Sequence, residues 1–176
     1  CSDKTGTLTQ NRMSVQQVFC GGTAYAGDRL AGMAGAGQLL RNARHCHNLK
    51  RGLHEGQEVW LGDPMEVALC EFARAVGADA KATQVGELPF DSDRRRMSVI
   101  VEQDGERWLY CKGAPEVVLQ LCEAADAGGG VVPLDDRQRA EIAAAQEAIA
   151  DGGLRVLAFA WRRLAPDEAP VEQRLV

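Results

Sequence analysis

Met97 to Glu116 reads MSVIVEQDGERWLYCKGAPE, two runs rich in β-branched and aromatic residues separated by Asp104-Gly105. Asp-Gly between such runs is a strong short-range signal for a tight hairpin, so strands are expected over Met97 to Glu102 and Arg107 to Lys112. Gly113-Ala114-Pro115 then turns the chain into a short helix, Pro115 to Cys122, because proline is pre-set for the first helical position. Working outward, Val85 to Phe90 reads as a further strand. Asp135-Asp136 can cap a longer helix in which Ile142, Ala145 and Ile149 share a face until Gly152-Gly153 stops it, and Leu154 to Trp161 reads as a buried strand returning. Upstream, Leu39, Leu40, Ala43 and Cys46 recur at helical spacing. Pro64 opens a second helix carrying Val67, Ala68, Cys70, Glu71 and Phe72 up to Gly77, with a short strand at Val59 to Leu61 between the two. Met13 to Phe19 and Thr23 to Tyr25 suggest another hairpin across Gly21-Gly22, and Gly27 to Gly37 a connection. Strands pairing as hairpins, with helices arriving in pairs, predict an α+β fold: an antiparallel sheet of about six strands flanked by helix pairs.

The totals narrow the function. With 176 residues, 45% of them hydrophobic, the chain can bury one good core. A net charge of −5, with basic residues scattered apart from Arg94-Arg95-Arg96, gives no footprint for nucleic acid or an anionic membrane surface. No run approaches the roughly 18 to 20 apolar residues of a membrane-spanning helix. The first residue is Cys1, without a signal-peptide pattern, so the chain reads as an internal excerpt of something longer. Its six cysteines lack CxxC spacing and mostly sit in apolar segments, which suits free thiols in a reducing cytosolic setting.

The sharpest chemical signal is Asp3-Lys4-Thr5-Gly6-Thr7-Leu8-Thr9. A carboxylate followed by glycine and hydroxyls suits a phosphoryl group held beside a nucleophile: amide N–H groups near Gly6 and the Thr5 and Thr7 hydroxyls can neutralise phosphate oxygens while Asp3 attacks in line. Alone, an Asp in a Thr-rich loop is more often a cap or turn residue. The whole string CSDKTGTLTQNRM, Cys1 to Met13, resembles the phosphorylation signature of P-type ATPases. The resemblance implies that Asp3 becomes an aspartyl phosphate and that Lys4, Thr5 and Thr7 belong to its catalytic loop. It also implies that Asp3 and Thr5 hold Mg²⁺ together with a later loop of the phosphorylation domain. Related dehalogenase-like phosphatases often carry a second Asp at position 5; threonine there leaves nothing local to hasten hydrolysis of the phosphoenzyme.

Four further segments resemble that family's nucleotide site. Lys112-Gly113-Ala114-Pro115-Glu116 resembles its KGAPE element, which implies Lys112 in the adenine cleft and Gly113 letting the nucleotide approach the backbone. Gly62-Asp63-Pro64-Met65-Glu66 resembles the helix start whose glutamate, here Glu66, accepts from the adenine amino group; read alone, Glu66 is a first-turn glutamate favoured by the helix dipole. FDSDRRRMSV, Phe90 to Val99, resembles the segment where an aromatic stacks on adenine and a basic residue meets phosphate, roles carried to Phe90 and Arg95. Core packing and a solvated loop are the plain alternatives. Some calcium pumps have arginine where Ser92 stands, so one phosphate contact is absent here. Gly153-Leu154-Arg155-Val156-Leu157-Ala158 resembles the strand whose arginine reaches ribose and phosphates; Arg155, interrupting an apolar strand, needs a ligand or a salt bridge as partner.

The resemblance thus implies a nucleotide-binding domain over 13–164, with 1–12 and 165–176 as stubs entering and leaving a phosphorylation domain. The ligands implied are ATP and Mg²⁺. The partners are the rest of the same pump (phosphorylation, actuator and transmembrane domains), and the setting is the cytoplasmic face of a membrane. The fragment is expected to be a monomer that binds nucleotide without turnover. GDPxE, FxxxRRRM and KGAPE together lean toward a calcium-pump-like subgroup. Two alternatives remain: a dehalogenase-like phosphatase acting through Asp3, and a non-catalytic metal-binding domain using His45, Cys46, His47 and His54. Neighbours on a helix point about 100° apart, which disfavours chelation by the first three and leaves Cys46 to the core. The His-Pro dipeptide of the copper-transporting branch does not occur.

Overall fold

Asp104 and Gly105 both adopt positive φ, 52° and 79°, the pair of left-handed residues that a two-residue turn of type I′ requires and that Asp-Gly supplies. They join β6 (Arg96–Gln103) to β7 (Glu106–Gly113), antiparallel from Gln103 opposite Glu106 to Arg96 opposite Gly113. β5 (Thr83–Asp91) pairs with the free side of β6 and β10 (Ala158–Leu164) with that of β7, giving a four-stranded antiparallel sheet in the order β10-β7-β6-β5. These elements come from a computed structural model describing residues 13–26, 36–54, 56–77, 81–128 and 130–176.

The α+β class is as expected, but the principal sheet has four strands rather than about six. The other strands form two-stranded ribbons: β1 (Gln17–Cys20) with β2 (Thr23–Ala26), β3 (Lys50–His54) with β4 (Gln57–Leu61), and β8 (Ala124–Asp126) with β9 (Val131–Pro133). Each is a local hairpin satisfied by its own partner, and strand propensity does not say which hairpins will join a larger sheet.

Both faces of the sheet are covered. Met97 to Val101 are all buried in β6, the continuous burial of a strand packed on two sides. Met97, Val99 and Val101 cluster with Cys46 and Tyr110, whereas Ile100 clusters with Leu109, Cys111, Val118, Ala160, Leu164 and Leu175. α1 (Ala36–His45) and α2 (Pro64–Ala75) pack together and serve the first face. α3 (Pro115–Leu121) and α4 (Asp136–Asp151) serve the second. Asp63 caps α2 by accepting from the Met65 N–H at 2.8 Å, and Asp135 with Gln138 forms a reciprocal capping box on α4. The wholly buried Asn42 of α1 donates from Nδ2 to the carbonyls of Cys111 and Ala160, at 2.9 and 2.8 Å, on directly opposed residues of β7 and β10.

Two expectations are adjusted, for Gly37 and for the start of the last strand. Gly37 lies inside α1 rather than in a connection. Ile142 and Ile149 of α4 both line one cleft of about 740 Å³ shared with α2, α3 and the β1–β2 ribbon, although no residue of α4 is fully buried. The last strand begins at Ala158, so 154–157 are not in it. Downstream, the chain folds back onto the domain. Leu175 is fully buried, donates its N–H to the Leu121 carbonyl and accepts from the Glu123 N–H, both at 3.0 Å. Val176 and Trp161 exchange backbone hydrogen bonds at 2.9 and 3.0 Å.

Candidate functional site

Asp91 is registered opposite Arg96, Arg96 opposite Gly113, and Gly113 opposite Ala158. This row runs across one end of the sheet, where β5 ends, β6 begins, β7 ends and β10 begins. Phe90, Arg95, Lys112 and Gly113 therefore all fall in the row or one residue from it, although they are scattered over 24 positions of sequence from 90 to 113. Phe90 is 63% exposed, so the alternative of core packing fails and its ring is available to a ligand.

Lys112 and Glu66 meet directly. Nζ of Lys112 donates to Glu66 Oε1 at 2.7 Å, with side chains only 5% and 7% exposed. Glu66 Oε2 accepts the Asn48 N–H at 3.3 Å. Pro64 and the Asp63 cap start α2 so that Glu66 falls in its first turn, which favours the carboxylate through the helix dipole. The geometry goes beyond that simple role, because the same carboxylate neutralises a lysine from the central sheet. A buried pair of this kind is retained only where geometry and extra hydrogen bonds compensate the desolvation of both charges. Beside it, an open cleft of about 630 Å³ is lined by His47, Asn48, Leu49, Lys50, Leu61, Gly62, Gln84 and Glu87.

Gly113 is required by close approach. A Cβ there would stand 2.6 Å from the Arg95 carbonyl oxygen and 2.6 Å from the Arg96 Cβ. The same Arg95 carbonyl accepts the Ala114 N–H at 3.0 Å, so the end of β7 packs against the turn preceding β6. That turn is built on Asp91, whose Oδ1 accepts the N–H groups of Asp93 and Arg94 at 2.8 and 2.9 Å. These bonds hold the exposed carboxyl below its ordinary range. Arg95 takes φ +49° and pairs with Glu116 at 2.6 Å, both side chains about half exposed.

Arg155 departs from expectation. It precedes β10 and is exposed, so it interrupts no buried strand and its charge faces solvent. It lines the 740 Å³ cleft, which Glu66, Phe90, Arg95, Lys112 and Gly113 do not. Asp3, Lys4, Thr5 and Thr7, including the proposed Mg²⁺ ligands, lie outside the described residues. Among the described residues no group of three or more His, Cys, Asp or Glu could hold a metal ion; the His54 side chain falls outside them. Cys46 takes the core role expected of it: its Sγ faces the carbonyls of Tyr110 and Met97 at 3.5 and 3.9 Å, and burial pushes its thiol up to about 12. His47 sits edge-on to Trp60 with ring centroids 5.4 Å apart, and burial lowers its pKa.

Sequence reasoning missed Glu172. Its carboxylate is almost fully buried and accepts from Arg94 at 2.8 Å, Arg96 at 2.7 Å and the Ser98 hydroxyl at 2.7 Å. Nothing in the polar stretch after Leu164 distinguishes it; only its contacts across more than 70 residues do.

Residues 35–175 match the family described as P-type ATPase, cytoplasmic domain N. The chain is 33% identical to the calcium-transporting ATPase of Bacillus subtilis (strain 168), over 97% of this chain and 22% of that protein. It is 34% identical to calcium-transporting ATPase 1 of Lactococcus lactis subsp. lactis (strain IL1403), over 96% and 19%. It is 32% identical to calcium-transporting ATPase 3, plasma membrane-type, of Oryza sativa subsp. japonica, over 98% and 18%. The chain thus spans about a fifth of the length of the curated relatives it matches. No helix among the described residues is long and apolar enough to cross a membrane. With a match running over most of its length and an α+β core of antiparallel strands, the chain belongs to the cytoplasmic N domains of P-type ATPases.

Proposed function

We propose that this domain binds ATP at the sheet end formed by Phe90, Arg95, Lys112 and Gly113, with Glu66 beneath, as part of a pump that moves calcium ions across a membrane. The observation that carries the reading is the Lys112–Glu66 pair at 2.7 Å, buried immediately before a glycine with no room for a side chain. Phe90 offers an exposed face on which adenine stacks. Among the described residues Glu66 has one contact on each carboxylate oxygen, with lone pairs for the adenine amino group, and Lys112 uses one of its three donors. Arg95 exchanges Glu116 for phosphate, a partner its planar fork matches better. A contact of Arg155 with ribose and phosphate requires it to swing away from the separate 740 Å³ cleft that it lines here.

In the complete pump the γ-phosphoryl passes to a carboxylate oxygen of Asp3, its bond to the β,γ-bridging oxygen breaks, and ADP leaves. Asp3 and Thr5 would hold Mg²⁺, which would supply neutralisation of phosphate charge there. The domain keeps to the cytoplasmic face, and 1–12 and 165–176 connect it to the phosphorylation domain. Calcium as cargo rests on the names of the relatives.

Calorimetric titration of the 176-residue chain with ATP, ADP, AMP and GTP tests this, alongside Lys112→Ala and Phe90→Ala. Adenine-selective binding weakened by both substitutions is the expected result. Absence of binding, or binding indifferent to both, sinks the reading. The chain alone is expected to release no phosphate steadily, since the charge stabilisation of the transferred group is completed elsewhere in the pump.

A further inference from the structure

Glu172 lies in the stretch after β10, yet its carboxylate is inserted beside the start of β6, with the side chain 6% exposed. Three donors converge on it. Arg94 Nη1 and Arg96 Nε reach Oε2 at 2.8 and 2.7 Å, and the Ser98 hydroxyl reaches Oε1 at 2.7 Å. Arg94 also donates to the carbonyl of Pro89 at 2.7 Å, and Arg96 to the carbonyl of Arg94 at 3.2 Å. One buried carboxylate therefore ties together both arms of the turn from Pro89 to Arg96. Of three consecutive arginines, the two flanking ones are consumed by Glu172. The middle one, Arg95, is forced to φ +49°, a conformation unfavourable for a residue with a side chain. It is left half exposed on a solvent-screened partner, Glu116. Such strain persists only where the surroundings over-determine it, and the two grips on either side of Arg95 do so.

We infer that Glu172 is the positioning residue for the phosphate-binding arginine: by occupying Arg94 and Arg96 it fixes the turn in the one shape that presents Arg95 to a nucleotide's phosphates. Glu172 is three residues before Leu175, which is pinned between the carbonyl of Leu121 and the N–H of Glu123. The segment after β10 and the phosphate-reading turn are thus one mechanical unit, and displacement of that segment withdraws Arg95. This inference rests on the nucleotide site proposed above.

The test is the affinity of the 176-residue chain for ATP and for adenosine, in the wild type, Glu172→Gln, Arg95→Ala and the double variant. Glu172→Gln keeps the shape and loses the charge that holds both arginines. It is expected to weaken ATP about five- to tenfold while changing adenosine less than about twofold. In the Arg95→Ala background it should then cost ATP almost nothing further, because two residues acting through one contact are not additive. If Glu172→Gln fails to fold, Glu172→Asp, which keeps the charge but withdraws it by one methylene, is expected to lower the ATP-to-adenosine affinity ratio severalfold. Equal losses for ATP and adenosine, additivity with Arg95→Ala, or an unchanged ratio in a variant with a lowered Tm would each overturn the inference and leave ATP binding standing. Wild-type chain that binds neither ligand would overturn the nucleotide site and this inference together.

Discussion

Two ion pairs stand one turn of chain apart at the same sheet end, and their lengths are almost equal: Lys112–Glu66 at 2.7 Å and Arg95–Glu116 at 2.6 Å. Their surroundings differ. The first is 5% and 7% exposed, the second 53% and 50%. In the exposed pair water screens the attraction and replaces either partner at little cost, so its contribution to folding is small and it is easily exchanged for a ligand. In the buried pair each charge depends on the other, and the loss of one strands its partner in a poorly solvating interior. Distance alone does not separate a structural pair from an exchangeable one; burial does.

The sharpest way to break the comparison is Lys112→Ala. It leaves Glu66 buried with, among the described residues, only the Asn48 N–H, and a loss of about 3 kcal/mol or more is expected in denaturant unfolding. Joint replacement, Lys112→Met with Glu66→Leu, should return stability to within about 1 kcal/mol of wild type while ATP binding stays lost. A joint variant as unstable as Lys112→Ala would show that packing, not stranded charge, is responsible. Gly113→Ala comes next, at about 2 kcal/mol, because a methyl 2.6 Å from a backbone oxygen forces the turn and β7 apart.

The buried pair shares its surroundings with Cys46, whose thiol burial lifts from 9.0 to about 12, with the Lys112 charge opposing. A raised folded value means the contribution is complete below about pH 9 and is lost as pH rises toward 12. Unfolding at pH 10 should show a fall on the order of 1 kcal/mol from this thiol, and Cys46→Ala should flatten it. The smallest effect belongs to the exposed side. Arg95→Ala and Phe90→Ala should each move stability by less than about 0.5 kcal/mol, yet each should weaken ATP several-fold.

The hairpin through Asp104-Gly105, the proline-opened helices and the Asp135 cap were all legible in the sequence, because each is decided by residues within a turn of one another. The meeting of Glu66 with Lys112 was legible only through family resemblance, since no local rule links positions 46 residues apart. Arg155 was misread as a strand interruption because the apolar run Val156 to Phe159 looks alike whether paired or leading into a strand. Glu172 and Asn42 were invisible for a different reason: a lone polar residue reads as surface until its partners are known, and theirs come from distant parts of the chain.

Asn42 holds α1 against two neighbouring strands through one amide group. In hydrogen exchange, amides of α1 should therefore open only together with those of β7 and β10, as one cooperative unit. Those of α4, which has no fully buried residue, should exchange earlier and at lower free energy. The domain is thereby divided into a slow-opening half that carries the candidate site and a faster one that does not.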